Sequence, residues 1–91
     1  MPQTLQLLRY EYVSDMAEKR APHRQAHLNL IEESHAEGRL VIAGAVGDPV
    51  HSGLLAFASA EAAAAFADED PYGAAGLVVE KAIEPWTVVV S

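Results

Sequence analysis

The order of the apolar segments constrains the fold of this chain more than any other feature of its sequence. Short runs rich in leucine, valine and aromatic residues indicate strands at residues 4–12, 39–45, 53–58, 77–83 and 86–90. One helical segment follows Ser14 and Asp15 and ends at Gly38, and an alanine-rich one covers residues 60–67. The last two strand segments, divided by Pro85, count as one strand, so the order is β-α-β-β-α-β.

This order is the split βαβ arrangement of ferredoxin-like folds, so we predict an α+β fold with a four-stranded antiparallel sheet. The first strand carries Leu5 and Leu7 on one face and Leu8, Tyr10 and Tyr12 on the other, which is typical of a central strand. A length of 91 residues predicts a single domain, residues 1–91.

Two helices on one face of such a sheet leave its other face bare, although apolar residues point towards it. A bare apolar face usually marks an interface, and a chain this short buries only a modest core. We therefore expect a homodimer that packs sheet against sheet.

Proline and capping residues give the local boundaries. Ser59 is placed to cap the second helix, which has to end before Pro71 because the residue ahead of a proline is pushed out of the α region. We expect Ala62, Ala65 and Phe66 to form its packed face. Pro85 lacks an amide donor, so it should interrupt the last strand at an edge or a bulge.

Composition limits the classes of partner. A net charge of −7 disfavours nucleic acid, no apolar run approaches the roughly 18 residues of a membrane span, and cysteine is absent. We expect a cytoplasmic protein with neither a nucleic-acid nor a membrane partner. A basic cluster at residues 19–24 fits either a solvated helix start or an anion site.

Histidines carry the candidate chemistry. His23 and His27 lie one helical turn apart, a spacing that can bind a metal, but no third ligand is evident, so we predict no metal and no cofactor. His27 lies on the packed side of its helix, and Asp70, stiffened by Pro71, is the best partner for its ring. The alternative is a core histidine and an aspartate that only ends a helix. His35 and His51 receive no role.

The motifs of the whole chain together resemble one family. The first helix contains R-Q-A-H-L (residues 24–28), followed by E-G-R-L (37–40) and an A-G step at Ala43-Gly44; then come D-P-Y (70–72), an A-G turn at Ala75-Gly76, and Pro85-Trp86. In order and spacing these resemble the YciI-like (YCII) family. One departure is Ala45, where the family often has proline.

The resemblance implies a ferredoxin-like fold that dimerises into an α+β barrel, similar in architecture to muconolactone isomerases. It implies that His27 and Asp70 form a dyad beside a pocket, and one relative in the family dehalogenates a chlorinated hydroxyhydroquinone. It identifies no reaction for this chain.

Two further side chains are candidate substrate ligands. Arg24 lies one turn before His27 and could hold a carboxylate or phenolate, or else pair with Glu32, Asp68 or Asp70. Tyr72 could donate to a substrate oxygen, or pack with its hydroxyl in water.

The sequence thus predicts a small-molecule enzyme that uses the dyad as general acid and base, with lyase, dehalogenase or isomerase chemistry on a ring-containing or enolisable substrate. The alternative is a non-catalytic module of the same fold that binds a small metabolite.

Overall fold

The computed structural model describes residues 3–91 and has the predicted α+β class. Four strands and two main helices follow one another, with three short helical segments between them. The elements are β1 (Gln3–Tyr12), α1 (Met16–Lys19), a 3₁₀ turn (Ala21–His23), α2 (Arg24–Ala36), β2 (Leu40–Val46), β3 (Ser52–Phe57), α3 (Ala60–Glu69), α4 (Pro71–Ala74) and β4 (Val78–Val88).

The four strands form one antiparallel sheet in the order β2-β3-β1-β4. β1 pairs with β3 on one side and β4 on the other, which confirms the central position expected from its two apolar faces. The two strands that flank each helix are separated by a third strand in the sheet, so each helix crosses over one strand. This crossing holds both α2 and α3 on the same face.

The helix-covered face carries the main core. Leu8 and Tyr10 of β1 lie opposite Leu55 and Gly53 of β3, and Phe66 of α3 packs over them. Leu8 and Phe57 have no exposed surface. Burial of side chains of this size stabilises the fold by about 1.5–3 kcal/mol each, before the entropy of ordering them is subtracted.

The opposite side of the sheet, which we name the open face, is covered by no helix. Leu7 of β1 lies between Ala56 of β3 and Glu84 of β4, and its neighbours Ile42 and Trp86 are exposed by 61% and 43%. A shallow apolar hollow of about 290 Å³ runs between these side chains.

The alanine-rich helix α3 begins and packs much as predicted. The Ser59 hydroxyl accepts the amide of Ala62 at 3.1 Å, and the helix ends at Glu69. Phe66 is buried and Ala62 packs half-buried against the core, as predicted, but the other buried members are Ala63 and Ala67, so the face is centred about one position further along than predicted. The reason is that Phe66 points into the centre of the core between Phe57 and His27, which fixes the helix about its axis.

Pro22 divides the first helical segment. The chain turns at Asp15, which has the left-handed φ of 58°, runs through α1 and the 3₁₀ turn, and only then enters α2 at Arg24. Proline has no amide hydrogen to give to the preceding helical turn, and it disfavours α geometry in the residue before it. The segment ends as predicted near Gly38, whose φ is 78°.

The predicted interruption of the last strand at Pro85 is wrong. β4 continues through Pro85, which lies opposite Gln6 of β1. The predicted placement of Pro85 at an edge is confirmed, because β4 is an edge strand. Every second amide of such a strand points away from the sheet, so a proline there removes no ladder hydrogen bond.

No helix among residues 3–91 has both the length and the apolar character needed to cross a bilayer.

Candidate active site

His27 enters the core from the first turn of α2. The helix starts only three residues earlier, so the imidazole lies near the helix N-terminus, facing the sheet. It is 6% exposed, although α2 is otherwise mostly solvated and buries only His27 and Ser34. A buried imidazole needs hydrogen-bond partners for its ring nitrogens.

Asp70 lies between α3 and α4, with extended backbone (φ −65°, ψ 122°). Pro71 follows as the first residue of α4, which explains why α3 ends here and why the next helix starts at once. One carboxylate oxygen, Oδ1, accepts the amide of Tyr72 at 3.1 Å and so caps α4. The D-P-Y motif therefore fixes the carboxylate relative to its own backbone.

The structure brings His27 and Asp70 together. Nδ1 of His27 lies 2.7 Å from Oδ1 of Asp70, and the two side chains are 7% and 0% exposed. An ionised carboxylate can only accept, so this contact requires the proton on Nδ1 and leaves Nε2 of the neutral ring as a base.

Two aromatic rings fix the orientation of the imidazole. Tyr72 stacks on it with centroids 3.7 Å apart and planes 8° from parallel, and Phe66 meets it edge-on at 6.2 Å. Tyr72 is thus packed, but its hydroxyl is buried rather than in water, and it has no hydrogen-bond partner among residues 3–91.

Tyr10 faces the carboxylate from β1. Its hydroxyl and the second Asp70 oxygen, Oδ2, are both buried, and neither atom has a hydrogen-bond partner within residues 3–91. Burial, and then the charge of Asp70, raise the pKa of Tyr10 well above its usual value. The phenol therefore stays protonated beside Asp70.

A cleft of about 200 Å³ opens beside His27, between α2 and the sheet. Its floor consists of small residues of β2, including Ala43 and Ala45, and its wall includes Tyr72. An apolar cavity of about 150 Å³ is enough for benzene, so this volume suits a molecule with a single ring. Ala45, which stands where the resembled family often has proline, lies within β2 opposite Gly53.

Arginines supply the positive charge of the cleft. Arg24 lines it, and among the ion pairs of residues 3–91 it has no partner, so the alternative pairing with Glu32, Asp68 or Asp70 is not formed. Arg20, one turn earlier, lines the same cleft. The basic cluster at residues 19–24 of the sequence indicated this region, but it did not show that Arg20, rather than a neighbouring residue, lines the cleft.

Other polar groups singled out in the sequence lie elsewhere. His51 contacts the Ser52 hydroxyl at 2.8 Å, and that hydroxyl donates to Glu11 at 3.0 Å, in a cluster separate from His27. His35 is exposed near the end of α2. Within residues 3–91 no three His, Cys, Asp or Glu side chains converge as a metal site would require.

Sequence reasoning missed Tyr12. Strand alternation predicts only that Tyr12 shares a face with Leu8 and Tyr10, whereas the structure has it half-buried and lining the cleft. Alternation along a strand gives the face of a side chain but not whether a cavity lies above it.

The fold is similar to that of solved structures. The 5-chloro-2-hydroxyhydroquinone dehydrochlorinase TftG of Burkholderia phenoliruptrix AC1100, in complex with 2,5-dihydroxybenzoquinone, matches with a TM-score of 0.73 and 22% identity over 90% of this chain and 92% of that one. The NE2512 protein of Nitrosomonas europaea matches with a TM-score of 0.57 and 19% identity over 100% and 93%.

Sequence relatives are closer. Protein YciI of Escherichia coli O6:H1 (strain CFT073) and Protein YciI of Shigella flexneri are each 39% identical over 87 residues, covering 84% of this chain and 89% of theirs. The model of the YCII-related domain matches residues 5–87. The chain therefore belongs to the YCII-related domain family.

Proposed function

We propose that the protein is an enzyme that uses His27 and Asp70 for general acid–base chemistry on a small anionic molecule with one ring. The observation that carries the proposal is the 2.7 Å contact between Nδ1 of His27 and Oδ1 of Asp70 at the wall of a cleft. A buried pair of this kind orients the base and stabilises the imidazolium that forms when the base accepts a proton.

The reaction begins with transfer of a substrate proton to Nε2 of His27. The electron pair left on the substrate forms a new double bond or an enolate, and Asp70 stays ionised beside the new imidazolium. In an isomerase the same proton returns at another carbon, whereas in a dehalogenase chloride leaves with its bonding pair. Acid–base help of this type contributes about 10²–10⁴ in rate.

Arg24 and Tyr72 assist the His27–Asp70 dyad in this proposal. The Arg24 guanidinium, without an ion-pair partner in residues 3–91, binds the negative charge of the substrate. Tyr72 holds the imidazole by stacking; its hydroxyl is buried and without a partner in residues 3–91, so donation to a substrate oxygen would require the ring to move. These steps use no cofactor.

Support for the substrate class comes from the fold match with TftG, whose bound 2,5-dihydroxybenzoquinone is a small ring with oxygen substituents. A ligand of that kind suits a cleft of about 200 Å³ with two arginines. We propose the same class for this chain, without assigning the same reaction.

We also propose that the fold is ferredoxin-like and pairs into a dimeric α+β barrel through the open face. The strand order β2-β3-β1-β4, with two crossover helices on one face, supports the first part, and exposed Ile42 and Trp86 support the second. We expect the protein in the cytoplasm.

The test compares turnover of hydroxyquinols, quinones and lactones by three variants. We expect His27→Ala and Asp70→Asn to lower kcat/KM by about 10²–10⁴, because the first removes the base and the second removes the charge that stabilises the imidazolium. His35→Ala is the matched control on the same helix, since this histidine is exposed and outside the cleft. Full activity of the folded His27→Ala protein would contradict the proposal.

The alternative is a binding module in which the His27–Asp70 contact is structural. The observation that favours it is the double duty of Oδ1, which also caps α4 through the Tyr72 amide. This alternative predicts that hits from a thermal-shift screen bind the wild type, that none is turned over, and that Asp70→Asn lowers stability without any catalytic consequence.

A further inference from the structure

Tyr12 reaches the cleft from the end of β1, on the side opposite α2. Its ring meets Tyr72 edge-on, with centroids 6.0 Å apart and planes at 87°, and it lies 5.9 Å from Tyr10. Tyr72 in turn stacks on His27, so the phenol of Tyr12 and the imidazole are second neighbours around one cavity.

Gly53 makes room for the Tyr12 hydroxyl. A Cβ atom added to Gly53 would lie 2.3 Å from the hydroxyl oxygen and 3.0 Å from the ring carbon that bears it. Gly53 is buried and has no left-handed φ, so the backbone conformation does not require glycine there. What requires it is the close approach of the phenol.

The environment keeps this phenol protonated. Burial, followed by the charge of Asp70, raises the pKa of Tyr12, while Arg20 and Arg24 act in the opposite direction and do not cancel the rise. None of the side-chain hydrogen bonds found within residues 3–91 uses the Tyr12 hydroxyl. The group is therefore a donor without an internal acceptor, beside two guanidinium groups.

We propose that Tyr12, seated on Gly53, donates the hydrogen bond that binds the anionic oxygen of the ligand, and that Gly53 sets the position of this donor. The inference rests on the proposed function and deepens it, because it specifies a phenolate- or enolate-type oxygen as the group that the cleft recognises. Arg20 and Arg24 supply the charge, and Tyr12 supplies the directed contact.

During turnover the Tyr12 proton stays on its oxygen. The substrate proton moves to Nε2 of His27, the electron pair moves onto the substrate oxygen, and that oxygen accepts the Tyr12 hydrogen bond more strongly as its charge grows. Tyr12 thus lowers the energy of the charged intermediate without exchanging a proton with it.

The test measures the binding of 4-nitrophenolate and of uncharged 4-nitroanisole by titration calorimetry. We expect Tyr12→Phe to weaken phenolate binding roughly 10- to 100-fold, because it removes a hydrogen bond to a charged acceptor. Binding of the anisole, which has no anionic oxygen, should change less than about twofold.

Gly53 is tested through a double-mutant cycle. Gly53→Ala should weaken phenolate binding in the wild type and have little further effect in the Tyr12→Phe background, because the displaced hydroxyl is already missing. Gly73→Ala is the matched control, since a Cβ atom there meets nothing closer than 3.5 Å. If Gly53→Ala does not fold, Tyr12→Phe decides the question alone.

Equal phenolate affinity in the wild type and Tyr12→Phe, additive effects in the cycle, or no phenolate binding by the wild type would each overturn the inference. None of these results touches the dependence of turnover on His27. Conversely, loss of that dependence would remove the acid–base function while leaving the phenolate site in place.

Discussion

At the scale of single residues, the candidate site depends on a contact between side chains 43 positions apart. Asp70 is buried, caps α4 and contacts His27, so one carboxylate connects α4 to the helix that carries the imidazole. Leaving such a buried charge without its partner costs several kcal/mol in general, which ties the geometry of the site to the stability of the fold.

The two tyrosines near Asp70 should make the stability of the fold depend on pH in alkaline solution. The pKa values of Tyr10 and Tyr12 are raised in the folded protein, whereas an unfolded tyrosine ionises near pH 10. Below about pH 10 both states are protonated and stability is unaffected; above it the unfolded state loses its proton first, so the free energy of unfolding falls as pH rises.

The measurement is urea unfolding at about pH 9 and pH 11 for the wild type and Tyr10→Phe. The variant should lose less stability between the two values than the wild type, because one raised group has been removed. Equal losses would mean that Tyr10 ionises alike in both states.

Sequence reasoning reached part of the site at this scale. The histidine and aspartate could be proposed because one lies on a packed helical face and the other precedes a proline, and the family resemblance joined them. Tyr12 could not be found in this way, because the position of its hydroxyl depends on the missing side chain of Gly53, a residue on another strand.

At the scale of elements, the ends of the helices place the chemistry. α3 ends at Glu69, Asp70 follows, and α4 begins at Pro71, so a change in the position of α3 shifts the carboxylate directly. α2 begins at Arg24 because Pro22 breaks the segment before it, and this late start places His27 within the first turn.

The start of α3 provides the prediction for this scale. Ser59→Ala removes the acceptor for the Ala62 amide and should lower the free energy of unfolding by about 1 kcal/mol, whereas Ser59→Asn should restore most of it. Urea denaturation measures both. Ser14→Ala is the control, because this exposed serine caps no helix; an equal loss in that variant would argue against capping as the cause.

Element order and type were predictable because the periods of two and 3.6 are local. The division of the helical segment before β2 and the continuity of the last strand could not be predicted, since each depends on where a proline lies in three dimensions. Pro22 breaks a helix because its neighbours need its amide, whereas Pro85 is tolerated because β4 has a free edge.

At the scale of the whole molecule, the two faces of the sheet differ in kind. The helix-covered face holds His27, Asp70 and the cleft, while the open face holds an apolar hollow lined by residues such as Leu7, Ile42 and Trp86. The hollow is larger than the cleft, but none of its lining residues can accept or donate a proton, so we propose association rather than catalysis for this face.

The last prediction concerns this face. Light scattering at micromolar concentration should give the wild type twice the chain mass of 9.7 kDa. Trp86→Asp should give a monomer, because a carboxylate buried at the centre of an apolar interface is left without a partner. Val90→Asp is the control, since Val90 is 84% exposed and lies beyond the end of β4.

The charges of the open face are compatible with burial against a second copy. Arg9 and Glu84 lie 3.8 Å apart at the side of the hollow, each about half exposed, so a dimer would bury a pair that is already neutral. A two-fold axis through the hollow would set this pair near its copy and Trp86 near the partner's sheet. A monomeric wild type, or dissociation by Val90→Asp as well, would show that the apolar face has another purpose.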